Sequence, residues 1–230
     1  MSDPKIIQDQ AEIYRKSFAQ HGDAPRATYN AGREVQDLRF ERILRHLIPT
    51  RSPFSIHDVG AGLCDLHRYL LDQGVEHSYS GTDVVQEMID HARNKYPEAT
   101  LHNRDILGGA VADRHDFVVL SGLFNLPGST EREAWKQFVL KMTDRMFEMA
   151  EVAVAFNFLS SYRTFTDPQL FYIDPAEILD HCMKRLSRFV ILDHGYPLFE
   201  CTATIFRPEF VESEHEGGVL DKYFEVTRLP

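Results

Sequence analysis

A strand-like segment, residues 55–59, runs into a turn with two closely spaced glycines, Gly60 and Gly62, and then into an amphipathic helix. Glycines at a strand-to-helix turn let the backbone approach a ligand, and the free amides of the helix start favour anionic groups. Nucleotide cofactors bind at such turns, outside the carboxyl ends of parallel strands. Because many α/β turns carry two glycines for packing alone, the turn needs support from other residues.

Two further acidic positions supply that support. Asp83 ends a predicted second strand, about twenty residues beyond the glycine turn, where a carboxylate can accept hydrogen bonds from both hydroxyls of a ribose. Asp105 follows a third strand that begins at Thr100. Carboxyl ends of parallel strands meet at one edge of a sheet, so we expect these side chains to lie together. The alternative for Asp83 is a helix cap.

The remaining pattern predicts the elements that position these residues. Residues 117–120 are apolar throughout, as expected of a strand covered on both faces. Asp174, followed by Pro175 and Glu177, predicts a helix start. Before Thr50 the chain predicts helices around a breaker-rich turn. An amphipathic helix from about residue 131 carries its apolar side on Trp135, Phe138, Val139, Met142 and Met146.

The last two strand-like segments, residues 189–192 and 201–206, are separated only by a turn around Gly195 and Pro197. Such a short connection requires an antiparallel pair, because a parallel pair needs a long crossover. The pattern therefore predicts an α/β fold of alternating strands and helices, with a mostly parallel sheet and one reversed strand.

The run from Asp58 to Gly62 resembles the first motif of class I (Rossmann-like) S-adenosylmethionine-dependent methyltransferases, an acidic residue two positions ahead of a Gly-x-Gly-x-Gly turn. Cys64 takes the place of the third glycine. A dinucleotide fingerprint fits less well, because its third glycine falls on Asp65 and would bring a negative charge to a pyrophosphate. The resemblance, to small-molecule methyltransferases of bacteria, covers about residues 47–207.

This resemblance implies a seven-stranded sheet with a terminal hairpin, helices on both faces and a helical N-terminal lid. It divides one domain into a lid (1–50), a catalytic core (51–207) and a polar tail (208–230). It also implies that Asp105 receives the adenine amino group, with the backbone of Ile106 on the ring. The cofactor-binding residues it predicts are Asp58, Gly60, Ala61, Gly62, Asp83, Val84, Met88, Asp105, Ile106, Ser121, Tyr29 and Arg39, with Arg39 on the cofactor carboxylate.

The acceptor is less well defined by the sequence. After the fourth strand there is neither an Asn/Asp-Pro-Pro-Tyr motif, found in enzymes that methylate amino groups of bases, nor the Cys that attacks pyrimidine carbon 5. Asn125, Asn157 and Tyr162 are candidates for positioning an acceptor, although loop polarity explains each as well. His194 is the candidate base, with an ordinary turn histidine as the alternative.

Composition narrows the partners. The formal charge of -10 argues against general affinity for nucleic acid, and no apolar run approaches the ~18 to 20 residues of a membrane span. The three scattered cysteines and the absence of a secretory signal favour the cytoplasm. We expect no metal, a monomer or homodimer, and methyl transfer from S-adenosylmethionine to a small molecule. The alternatives are an NAD(P)-dependent oxidoreductase and a catalytically silent scaffold.

Overall fold

One sheet organises the computed structural model, which describes residues 3–29, 31–109, 112–216 and 219–224. Its strands are β1 (Phe54–Val59), β2 (His77–Asp83), β3 (Thr100–Asn103), β4 (His115–Leu120), β5 (Ala150–Ser160), β6 (Tyr172–Ile173), β7 (Val190–Asp193) and β8 (Glu200–Phe206). The helices are α1 (Asp3–His21), α2 (Arg33–Leu44), α3 (Asp65–Asp72), α4 (Gln86–Lys95), α5 (Arg132–Met149), α6 (Pro175–Arg185) and α7 (Pro208–Ser213).

The strand order is β3-β2-β1-β4-β5-β8-β7, and only β8 runs antiparallel to its neighbours. The predicted terminal hairpin is therefore confirmed, as is the mostly parallel sheet. Seven strands were expected, and the eighth is β6, which pairs with the end of β5 through Leu159 and Ser160 and lies off the main path. The strand order reverses between β1 and β4, and at such a switch point the carboxyl ends open a crevice for a ligand.

Helices cover both faces of the sheet. The predicted apolar side of α5 is buried on one face, where Trp135 and Met146 are fully enclosed beside β4 and β5. On the other face, α2 and α3 bury Ile43, Leu44 and Leu66 against β1 and β4. The predicted start of α6 is confirmed as well, because the Asp174 carboxylate accepts a hydrogen bond from the amide of Ala176 at 2.9 Å.

The connection from β3 to β4 departs from the expected alternation: its described residues, 104–109 and 112–114, form no helix. The sheet nearby carries hydrogen-bonding side chains instead of apolar ones. His57 is buried and lies 2.7 Å from the Ser80 hydroxyl and 2.9 Å from the Thr82 hydroxyl. Burial lowers the pKa of His57 to about 3, so the ring is neutral at physiological pH. These polar groups satisfy one another without a covering helix.

The C-terminal segment was expected to be a polar tail from residue 208 onward. Its first part is the helix α7, in which Phe210 stacks on Phe206 with ring centroids 6.4 Å apart. Residues 217, 218 and 225–230 lie outside the described residues. The division into lid, core and tail stays a prediction.

Gly81 of β2 lies where the glycine turn packs closely on the sheet, next to Ala61. A Cβ at Gly81 would lie 2.7 Å from the Cβ of Ala61 and 3.2 Å from Leu101. We expect Gly81→Ala to lower the free energy of unfolding by about 1–3 kcal/mol, as overpacking of a close contact does. Chemical denaturation measures it. The matched control is Gly32→Ala, where nothing lies within 4 Å. Equal stability of the two variants would contradict the close contact.

Candidate cofactor and acceptor site

The glycine turn between β1 and α3 is held against β2 by its own backbone. The amides of Gly60 and Ala61 both donate to the carbonyl of Thr82, at 2.8 and 3.0 Å. Gly62 has a φ of +53°, a conformation that glycine adopts without strain. Cys64 stands at the place of the third family glycine. Its φ is +60°, in the left-handed region that favours glycine, and its side chain is fully buried.

Asp83 lies at the end of β2 and connects the turn to the next helix. One carboxylate oxygen accepts the amide of Gly62 at 2.9 Å, and the other accepts the amide of Val85 at 2.8 Å, beside the start of α4. That amide belongs to Val85, the N-cap residue of α4, and the helix start has no side-chain cap, so Asp83 does not cap the helix as the alternative interpretation requires. The carboxylate instead orders the backbone between β2 and α4 and lines the cleft at the glycine turn.

The cleft beside the turn is strongly acidic. Its described lining contains four carboxylates and one basic side chain, Arg104, which is itself paired with Asp113. Burial raises the pKa of Asp58 to about 7; a hydrogen bond from the Tyr79 hydroxyl at 2.8 Å opposes this shift. Burial also raises the pKa of Asp83. A cationic group is therefore favoured in this cleft over an anionic one. The four carboxylates belong to Asp58, Asp65, Asp83 and Asp105.

The structure brings most of the predicted cofactor residues to this cleft. They lie at or after the carboxyl ends of β1, β2, β3 and β4, and together they surround one space. Their contacts with the cofactor stay a prediction. The members that line the cleft are Asp58, Gly60, Ala61, Gly62, Asp83, Val84, Met88, Asp105, Ile106 and Ser121.

The N-terminal helices supply one wall of the cleft, but the side chains that form it were not among the predicted site residues. Tyr14 and Gln10 of α1 line the cleft, and so do Gln36 and Phe40 of α2. The Nε2 atom of Gln36 donates to the Asp65 carboxylate at 2.9 Å. Gln10 and Gln36 are both buried, and a glutamine on the apolar side of each helix was the signal that could have identified them.

Two predicted cofactor-binding residues are not among those that line the cleft. Arg39 pairs with Glu200 through two nitrogens, and its contact with the cofactor carboxylate stays a prediction. Tyr29 is 53% exposed and packs edge-to-face on Tyr14, with ring centroids 5.5 Å apart. The Arg39 side chain is only 15% exposed.

The acceptor candidates separate into two pairs. Asn157 was predicted to position an acceptor, but it is fully buried inside β5, which pairs with β8 as far as Leu159 and with β6 at Leu159 and Ser160. Asn125 is also buried, and its side-chain oxygen accepts the amide of Leu159 at 3.2 Å. Tyr162 and His194 are both exposed and lie together, with ring centroids 6.4 Å apart. Only this second pair is accessible to an acceptor.

The described residues contain neither a candidate metal cluster nor a candidate membrane-spanning helix. No three or more His, Cys, Asp or Glu side chains there are grouped so that they could hold a metal ion. None of the helices in the same ranges has the length and apolar character needed to cross a membrane.

Several known proteins that are similar to this chain are methyltransferases. A Mycobacterium tuberculosis protein named as a methyltransferase, Rv1506c, is 32% identical over 162 residues, 69% of this chain and 96% of that protein. No family model matches. Magnesium protoporphyrin IX methyltransferase of Synechocystis, solved with bound S-adenosylmethionine, has a TM-score of 0.63 at 15% identity, covering 86% of this chain and 97% of that one. The N-methyltransferase NodS of Bradyrhizobium japonicum has a TM-score of 0.59 at 13% identity, covering 88% and 98%. The chain belongs to the class I S-adenosylmethionine-dependent methyltransferases.

Asp83 should contribute directly to cofactor affinity. We expect Asp83→Ala to weaken binding of S-adenosylhomocysteine by ~1 to 3 kcal/mol, because the ribose hydroxyls lose a charged acceptor. Calorimetric titration measures this change. Asp90→Ala, on the exposed side of α4, is the control and should bind as the wild type does. A folded Asp83→Ala protein with unchanged affinity would show that the ribose lies elsewhere.

Asp58 should make cofactor binding depend on pH. A bound cation favours the charged carboxylate and lowers its pKa, so binding below about pH 7 releases a proton. Affinity for S-adenosylmethionine should therefore rise from pH 5.5 to 7, by at most about tenfold per unit. Titrations across this range measure the rise, and Asp58→Asn should flatten it. An Asp58→Asn protein with the same pH profile would rule out Asp58 as its source.

Proposed function

We propose that this enzyme transfers the methyl group of S-adenosylmethionine to a small-molecule acceptor and releases S-adenosylhomocysteine. The observation that carries the proposal is the acidic cleft at the switch point of the sheet, where the Asp83 carboxylate meets the glycine turn at 2.9 Å. A nucleoside with a cationic amino acid part matches both the position and the charge of this cleft.

The residues around the cleft fit this cofactor group by group. Asp83 is proposed to accept the ribose hydroxyls, and Asp105 with the backbone of Ile106 to hold the adenine. Asp58 and Asp65 would face the cationic groups. A nicotinamide dinucleotide fits poorly, since its pyrophosphate would meet these carboxylates with Arg104 as the one basic side chain among the described lining residues.

S-adenosylmethionine supplies, when bound, a methyl group already activated by the sulfonium. The chain's own task is then to orient the acceptor and to exclude water. The N-terminal helices are placed for this, because Tyr14, Gln36 and Phe40 wall the cleft opposite the turn at Ser121. For an oxygen or nitrogen acceptor that must lose a proton, His194 is the proposed base, with Tyr162 beside it.

A small acceptor is favoured by two further features. The first is that side chains of α1 and α2 wall the cleft, an arrangement that would enclose a small acceptor. The net charge of -10 repels nucleic acid at long range. Solved proteins of this fold include the NodS and magnesium protoporphyrin IX methyltransferases, whose names describe their own reactions. A soluble, cytoplasmic enzyme and a monomer or homodimer are part of the same proposal.

Partition of a labelled methyl group tests the acceptor class. The protein is incubated with methyl-labelled S-adenosylmethionine and a cell extract separated into small-molecule, protein and nucleic-acid fractions. We expect label in the small-molecule fraction, with S-adenosylhomocysteine formed in equal amount. Asp83→Ala is the control and should form less of both products when S-adenosylmethionine is limiting, because its affinity for the cofactor is lower. Label confined to protein or nucleic acid would refute the acceptor class, and binding without turnover in any fraction would refute the enzyme.

A further inference from the structure

Glu200, at the start of β8, is a buried carboxylate outside the cleft. It is 2% exposed, and its environment must therefore supply partners for its charge. Two come from different parts of the chain. The Nε and Nη2 atoms of Arg39 donate to Glu200 Oε1 at 2.9 and 2.5 Å, and Asn157 Nδ2 donates to Oε2 at 2.6 Å.

Asn157 extends this network to the turn that follows β4. Its Oδ1 atom accepts the amide of Gly122 at 2.9 Å. The orientation of the Asn157 amide is fixed from both sides, because its nitrogen must face the Glu200 carboxylate and its oxygen must face an N–H group. An aspartate at this position could accept from Gly122 but would repel Glu200. Asn157 thus joins a buried charge to a backbone amide.

Both ends of this network belong to walls of the cofactor cleft. Arg39 lies on α2 directly before Phe40 and three residues after Gln36, both of which line the cleft. Ser121 and Gly122 line it as well. A hydrogen-bonded path from α2 to the β4 turn therefore passes through Glu200 and Asn157, neither of which lines the cleft itself.

We propose that Glu200 is a positioning residue that couples the N-terminal lid helix α2 to the Ser121–Gly122 turn, so that the two walls of the cleft are ordered together. The proposal rests on the cofactor site proposed above. Binding a ligand against one wall then orders the other, since they share the same carboxylate. The acceptor candidates Asn125 and Tyr162 follow the two strands, β4 and β5, that Asn157 joins.

The chain offers a matched control for this proposal. Arg42, also on α2, pairs with Asp193 at 3.3 Å, and Arg45 lies 3.5 Å from the same carboxylate. This second anchor holds α2, and within the described part of the chain no hydrogen bond joins Asp193 to the β4 turn. Asp193→Asn should therefore loosen the helix alone, whereas Glu200→Gln should loosen the helix and the turn.

Hydrogen exchange and calorimetry together distinguish the two variants. In Glu200→Gln we expect faster amide exchange in residues 33–44 and in residues 121–125. Affinity for S-adenosylhomocysteine should fall about fivefold or more, the lower range for coupled sites. In Asp193→Asn we expect faster exchange in 33–44 only, and unchanged affinity. If Glu200→Gln does not fold, Arg39→Lys, which keeps the charge but not the two-nitrogen contact, should give the same pattern in weaker form.

The outcomes separate this proposal from the proposed function. If the exchange of residues 121–125 is unchanged in Glu200→Gln and Arg39→Lys, or changes equally in Asp193→Asn, the coupling is refuted. If the wild type does not bind S-adenosylhomocysteine, the cofactor site is refuted, and with it the affinity part of the proposal. In that case the exchange pattern still decides whether Glu200 joins the helix to the turn.

Discussion

The attachment of the glycine turn to β2 is the interaction on which the site depends. Three consecutive amides, those of Gly60, Ala61 and Gly62, are held by the carbonyl of Thr82 and the carboxylate of Asp83. β1 and β2 are parallel neighbours in register from Phe54 to Val59, so their carboxyl ends lie side by side. This pairing fixes the position of the glycine turn beside the end of β2. Every other wall of the cleft is arranged around that turn.

The charge of the cleft follows from the same arrangement. Burial in a partly dehydrated space disfavours the charged forms of Asp58 and Asp83 and raises the pKa of both. The nearby carboxylates of Asp83 and Asp65 raise the pKa of Asp58 further by repulsion. A ligand cation relieves this repulsion. The carboxylates therefore favour a positively charged ligand even without specific hydrogen bonds. This charge preference favours a sulfonium nucleoside over a ligand that carries a pyrophosphate.

Local patterns in the sequence were enough to predict the elements and most of the cleft. The glycine turn, the cap at Asp174 and the terminal hairpin depend on residues close together in the chain. Arg39 and Asn157 could not be placed in this way. Their common partner, Glu200, is 161 residues from Arg39, and nothing in the helix pattern of α2 indicates that contact. Likewise, β5 extends to Ser160 because β8 and, at its end, β6 pair with it, and Asn157 is buried inside the strand.

Calorimetric titration of the wild-type protein with S-adenosylhomocysteine, with NADH titrated in parallel, tests the central claim most directly. The acidic cleft at the glycine turn predicts saturable binding of S-adenosylhomocysteine, one molecule per chain, and no binding of NADH. Binding of NADH without S-adenosylhomocysteine would contradict the assignment of the cleft, and binding of neither would contradict its role as a cofactor site.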